Sequence, residues 1–508
     1  MLDSVANEQA MRKVEQAFNQ CLQQYDSCPR SKVSLLPSRV VDVEAMGLYE
    51  AGEGELGTYA ALSYCWGGDQ IVKTTIANIQ WKREGIALED LPRTLQDTIQ
   101  VCTQLKIRYL WIDALCITQD DEDDVAREIS RMGLIYNRAA LVICASRAKS
   151  VYDGFLADTA AHLEEAIMLP ARFLSTCKGE LGMIQIPRES SSAEPLNLRG
   201  WAYQEISLAS RAIMYTEGGI IWQCNATCNR LAFDGMQMES HPIHDMVVTT
   251  KECKAGSLQR EQWDQVVRVY SLRSLTDPDD RLEALAGIAA LTAKLWKSKY
   301  YAGLWEFDME NQLGWRVDSS IDLYDWRWRK LQAPSWSWAS VYGPVCNVVR
   351  FCRSETSREA KIISCDVKNA HPGNPFGRAL SGRLTIEAFM IHARYADPSW
   401  LADTCMDLDA SRPSDEQLDE MWCLVLGCAP DNGMAADEFP QWDGQLLSCL
   451  PDGTFQRLGH FRQTLDPETW FYSEMSFEEY LAELEAEQSV GAEAVFPEKG
   501  SRRTVVIV

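Results

Sequence analysis

Two periods of apolar residues alternate along the first half of this chain. Residues 8–26 space their apolar side chains as a short amphipathic helix does, and "SLLPSRVVDVE" reads as an extended lead-in. "TYAALSYCWGG" is a continuous apolar run closed by two glycines. It predicts a buried strand over Tyr59–Tyr64 and a loop over Cys65–Asp69. In "DLPRTLQDTIQVCTQLKI", Leu95, Ile99, Cys102 and Leu105 fall on one helical face, and Pro92 suits the first turn. "RYLWIDALCI" is a second buried run, interrupted by Asp113. Acids then cluster where a helix begins, Val125, Ile129, Met132, Ile135 and Ala139 recur at helical spacing, and "ALVICAS" is a third apolar run.

Strand, helix, strand, helix, strand in that order predicts an α/β fold with a parallel sheet covered by helices on both faces. Such a sheet binds ligands beyond the carboxyl ends of its strands. The loop after Tyr64 and the one holding Asp113 should share that edge. "LNLRGWAYQEISLASRA" resumes as a helix with Asn197 as a cap, and "RAIMYTEGGIIWQC" as two strands about a Gly-Gly turn. Four regions follow: a helical lead-in over 1–32, an α/β domain over 33–230 with an insertion near 147–195, a helical middle over 231–332, and a β-rich C-terminal domain over 333–508. The last contains runs such as "RLTIEAFMIHARY" and "MWCLVLGC", a late acidic helix "SFEEYLAELEAEQ" and a closing strand "SRRTVVIV".

Composition narrows the function. The 508 residues exceed one ordinary core, and 46% hydrophobic with 24% charged residues is a globular balance. A net charge of −24 argues against nucleic acid and anionic membranes as partners. No apolar run is long enough to span a bilayer, and no signal peptide is apparent, so a cytoplasmic protein is expected. Its 17 cysteines then read as reduced thiols. Cys224 and Cys228 are one close pair without a second, and His241 and His244 flank a proline, so neither pair makes a convincing metal site. No resident cofactor is expected.

The candidate chemistry lies on the predicted sheet edge. Trp201 and Glu205, at i and i+4, share a helix face. They read either as an aromatic wall beside a catalytic carboxylate, or as a core tryptophan with a surface acid paired to Arg199. Arg199 alternatively holds a phosphate or restrains Glu205. Asp113, where a strand should end, binds a ligand's hydroxyls, orients Arg199, or accepts the corner's backbone amides. Ser63, Trp66 and Gly67 form the first strand's exit, where a glycine admits a ligand or makes a turn, and Trp66 stacks on a base or plugs the core. Cys116 reads as a packed thiol, and "SWSW" at 335–338 as a seam between helical and β regions or a lid.

"YAALSYCWGG", "LPRTLQDTIQVCTQLKIRYLWIDALCITQDDEDDVAREISRMGLIYNRA" and "LNLRGWAYQE" resemble, in order and spacing, the three signature blocks of the fungal heterokaryon-incompatibility (HET) domain. The resemblance implies a TIR-like α/β fold and a role in non-self recognition and regulated cell death. TIR enzymes cleave NAD at the nicotinamide–ribose bond through a glutamate in a Trp-x-x-x-Glu pattern, which here falls on Trp201 and Glu205. NAD(P) is therefore the implied substrate. Two departures bear on the pocket: Ala114 stands where the family has serine, and Ala202 and Tyr203 replace a Thr-Leu. Three readings follow. They are an NAD(P) glycohydrolase or related nucleotide-cleaving enzyme using Glu205, a non-catalytic module that self-associates, and an enzyme of small-molecule biosynthesis.

Overall fold

The computed structural model describes residues 8–157, 167–173, 180–186, 194–230, 256–317, 331–347, 360–393, 420–429, 441–464 and 500–508. The chain forms two compact units, Met1–Asp245 and Met246–Val508. His241, His244 and the acidic segment "SFEEYLAELEAEQ" lie outside the described residues.

The first unit is built on a mixed sheet of eight strands, β1 (Arg39–Asp42), β2 (Gly47–Glu50), β3 (Tyr59–Ser63), β4 (Tyr109–Trp111), β5 (Leu141–Cys144), β6 (Arg211–Thr216), β7 (Gly219–Cys224) and β8 (Cys228–Arg230), ordered β8-β7-β6-β5-β3-β4-β1-β2. β4, β3, β5 and β6 run parallel. Both edges depart from the expected parallel sheet. β1 pairs antiparallel with β4 and with β2, and β6 turns into β7. For β1–β2 and β6–β7 the reason is local: chain reversals of a few residues permit only antiparallel partners. Asp42 closes the first by accepting the amides of Glu44 and Ala45, and Gly219, with φ of 113°, lies at the second. β3 and β5 are buried along their whole length, as strands covered on both faces must be.

The helices are α1 (Glu8–Gln24), α2 (Ile79–Glu84), α3 (Arg93–Gln104), α4 (Asp113–Cys116), α5 (Glu122–Arg138) and α6 (Gly200–Ser207). The acids before α5 divide their work. Asp121 caps the helix through the amides of Asp123 and Asp124, while Asp124 turns inward to pair with buried Arg39. Asn197 does not cap α6. It is absorbed in a 3-10 turn over Pro195–Leu198, and Arg199 takes the cap position without a capping side-chain bond.

The second unit holds helices α7 (Gly256–Ser271) and α8 (Ala286–Trp296) and a six-stranded sheet. Its strands are β9 (Lys361–Asn369), β10 (Ala379–His392), β11 (Met421–Ala429), β12 (Gln441–Cys449), β13 (Phe455–Thr464) and β14 (Gly500–Ile507). Pairing runs from β10 through β14 and returns to β10, which removes open edges from that ring. On β10 the alternating residues Leu384, Ile386, Ala388 and Met390 are fully buried. The "SWSW" segment makes contacts of the seam kind. Trp338 Nε1 donates to Gly303 O at 3.0 Å on the helical side, and Ser335 Oγ accepts the Arg457 amide at 3.0 Å on the β side.

Candidate active site at the sheet edge

β3 lies between β4 and β5, so the chain leaves it first one way and then the other. The loops that follow β3 and β5 flank this reversal, where open α/β sheets bind ligands, and the loop after β4 reaches the same edge through the Asp113–Trp66 bond. The loop after β3 is held from outside. Asp97 on α3 accepts the amides of Phe155 and Leu156 at 2.7 and 2.9 Å, and the Val151 amide donates to Trp66 O. Gly67 has φ of 77°, and a Cβ there would come within 2.2 Å of Ser150 Cβ, so this glycine serves close approach to the neighbouring segment.

α6 delivers Glu205 to the same edge. Glu205 is only 3% exposed, and Ser63 Oγ at the end of β3 donates to its Oε2 at 2.5 Å. The Tyr136 hydroxyl, which donates to Leu62 O, also lies within hydrogen-bonding reach of Glu205. Burial pushes the Glu205 carboxyl up to about 7, against the lowering pull of Arg199 and Ser63, while the nearby Asp113 carboxylate adds to the rise. Trp201 sits half-buried one turn earlier on α6.

Asp113 begins the one-turn α4 and is half-buried. Its Oδ1 accepts the Ala114 amide at 2.7 Å, and its Oδ2 accepts Trp66 Nε1 at 2.9 Å. Burial raises this carboxyl too, opposed by Arg199, the Ala114 amide, Trp66 and Tyr64. Arg199, half-buried at the start of α6, donates to Tyr64 O and feels both carboxylates. Ser63, Trp66, Asp113, Arg199 and Glu205 are thus linked around the exits of β3 and β4, with Gly67 on the loop between them.

Two residues of this network escaped the sequence reading. Tyr64 and Tyr136 sit inside an apolar run and an apolar helix face, where nothing separates a tyrosine with a polar task from one that fills space. Cys116 has the character of a packed thiol. It is fully buried, its Sγ accepts the Ile112 amide at 3.4 Å, and burial pushes it up to about 12. Two cavities in the second unit are lined by other residues, among them Asp279 and Arg378 in one, Trp263 and Trp315 in the other.

Chemically, the edge offers a carboxyl poised near neutrality, a second carboxylate with an indole on it, a guanidinium, and exposed backbone at Gly67. Such a set can hold an anion through Arg199 and stabilise a positive charge through Glu205. Among known proteins, residues 59–205 match the family model described as Heterokaryon incompatibility protein (HET). No curated protein and no solved structure matches the chain.

Proposed function

We propose, given that this chain is a heterokaryon incompatibility (HET) protein through residues 59–205, that it cleaves the nicotinamide–ribose bond of NAD(P) with Glu205 in a non-self recognition response. One observation carries the reading. The matched segment ends on a buried carboxyl, raised to about 7, at the topological switch of the sheet. A TIR-like ancestry is supported by the same placement: Trp201 and Glu205 lie on the helix that follows β5, the third parallel strand in the chain.

The chemistry needs little more. Nicotinamide is cationic when bound to ribose and leaves as a neutral ring, so no general acid is required. The ribose left behind resembles an oxocarbenium ion. A carboxylate beneath it stabilises that charge, and burial strengthens the effect. Here Arg199 supplies the positive charge near Glu205. A dinucleotide's phosphates would draw Arg199 to themselves, and the cationic ring would take its place beside the carboxylate. Asp113 would accept the ribose hydroxyls, and Trp66 would flank the ring.

The test is release of nicotinamide from NAD(P) by the purified chain. Glu205→Gln should slow it by about 100-fold or more. The rate should climb as pH rises through about 7, because only the ionised carboxylate works. If neither nicotinamide nor an ADP-ribose product forms, the enzyme reading fails.

A second reading rests on a different feature of the same residues. Ser63 bonds Glu205, Trp66 bonds Asp113, and Arg199 bonds Tyr64 O, so the network is satisfied within the chain. That favours a non-catalytic module that signals by self-association. It requires Glu205→Gln to leave the cellular phenotype intact, while substitutions on the self-association surface abolish it.

A further inference from the structure

Three cysteines far apart in sequence meet at one end of the first unit. Cys21 lies in the last turn of α1, Cys28 in the turn that follows, and Cys224 at the end of β7. All three are buried and carry free thiols. Their sulfurs all lie within 4.8 Å of one another. Among the described residues no other group of three His, Cys, Asp or Glu side chains meets at this spacing.

The surroundings are built for negative sulfur. Arg211 is 1% exposed, and its Nε donates to Cys21 Sγ at 3.2 Å. No carboxylate pairs with Arg211 among the described residues, although a buried guanidinium needs an anion. Thr227 Oγ1 lies 3.6 Å from Cys224 Sγ. Hydrogen bonds from Cys21 and Cys28 hold the Cys224 thiol far below the ordinary range, and the bond to Cys224 pushes Cys21 up. For Cys28, a lowering contact with Cys21 is outweighed by its bond to Cys224 and by burial. The three sulfurs are thus in mutual contact, with Arg211 donating to one of them.

Side-chain contacts anchor the segments that carry the three sulfurs. Arg211 also donates to Pro29 O, and Asn225 Nδ2 donates to Ser27 O at 3.1 Å, which anchors the turn carrying Cys28. Phe18 meets Trp222 edge-on at 6.2 Å, which anchors the helix carrying Cys21. A tetrahedral metal with bonds of about 2.3 Å sets its sulfurs about 3.8 Å apart, so closure asks for movement of roughly an ångström or less.

We propose that Cys21, Cys28 and Cys224 bind one thiophilic d10 cation, zinc(II) or copper(I), which staples α1 and its following turn to the sheet. On binding, three metal–sulfur bonds form, the S–H bonds of the three thiols break, and their protons pass to solvent without any redox change. Three thiolates with zinc(II) leave a single negative charge, which Arg211 neutralises while its N–H orients a ligand sulfur. Copper(I) accepts a three-sulfur set as it stands, and zinc(II) completes its coordination with a small ligand from outside the chain. All three ligands fall outside residues 59–205, so the site is independent of the matched segment and of Glu205.

The test uses the full chain, reduced and purified after growth with added zinc or copper. Elemental analysis should find stoichiometric metal and say which of the two it is. The stripped chain, titrated with cobalt(II), should show thiolate-to-cobalt charge-transfer absorption, and with copper(I) should compete with a chromophoric chelator. Cys21→Ser, Cys28→Ser and Cys224→Ser should each lose the stoichiometric metal. Cys102→Ser, a buried cysteine outside the cluster, should keep it. Trace metal in the purified chain, together with no cobalt band and no copper competition by the unmodified protein, overturns the proposal whether or not the variants fold.

Discussion

Two buried carboxylates in the first unit, each beside an arginine, are driven in opposite directions. Asp124 is 2% exposed, pairs with Arg39, and accepts the Thr118 amide at 2.8 Å. Burial pushes its carboxyl up, but the bonds from Arg39 and Thr118 outweigh that, and it stays below its ordinary range. Glu205 is as little exposed but meets only hydroxyl donors, Ser63 at 2.5 Å and Tyr136 within reach, with Arg199 bonded to Tyr64 O and shared with Asp113. It rises to about 7. Their solvent exposure is alike, but Glu205 lies deeper among protein atoms, so its heavier desolvation and its weaker donors together set the difference. A carboxylate given guanidinium donors, here Arg39 and Arg127, and an amide is structural cement. One denied them is raised, the state from which functional carboxyls are often drawn.

The comparison breaks most violently at Asp124. Asp124→Ala leaves Arg39 buried without its partner and removes the acceptor for the Thr118 amide. Loss of such a pair typically costs about 3–5 kcal/mol, enough to unfold a marginal domain. Urea denaturation should show it as a large fall in midpoint. The wild-type contribution is present above the ordinary carboxylate value and is lost as pH falls through the depressed one. A midpoint unchanged at neutral pH would put the two carboxylates in one class.

Glu205→Gln should do the opposite. The native state favours the protonated acid, so this group's contribution to stability is complete below 4.5 and is lost as pH rises through about 7. A neutral amide in its place escapes that loss. At pH 8 the variant should therefore gain up to about 3 kcal/mol over wild type, and near pH 4 the two should melt together. Paired melts at both pH values measure it. A gain in stability alongside loss of nicotinamide release is the signature of a residue kept for function at a cost to the fold.

The two carboxylates differ just as much in how far the sequence announces them. Strands β3, β4 and β5 and helices α3 and α5 were legible because continuous apolar runs and helical spacing leave little choice. The position of Glu205, one turn after Trp201, was legible from spacing and from the resemblance of its block. The ion pair of Asp124 was not. It looked like one more acid at a helix start, and its partner Arg39 lies 85 residues earlier in the chain. Long-range pairing carries no local signature. The antiparallel edges were half-legible, since the Gly-Gly reversal was visible while the one from Asp42 to Gly47, with a lone glycine, lay beside a run that reads as an extended lead-in. The same blindness hid the thiol cluster, whose members are spread from Cys21 to Cys224.

The smallest effect tests the donor argument directly. Ser63→Ala removes the hydroxyl that donates to Glu205 Oε2 and leaves burial and Arg199 in place. If donors set the level, the ionised form loses its one short bond, and the carboxyl climbs further above about 7. A hydrogen bond to a charged group is worth about 1.5–3 kcal/mol, but a relaxed side chain or a water recovers part of it. The pH profile of nicotinamide release should then shift upward by about half a unit to one unit, with its plateau at high pH little changed. Thermal stability near pH 5 should hardly move, because the acid is neutral there in both proteins. A profile that stays in place while the plateau collapses would make Ser63 a ligand contact, and burial alone would then account for the raised Glu205.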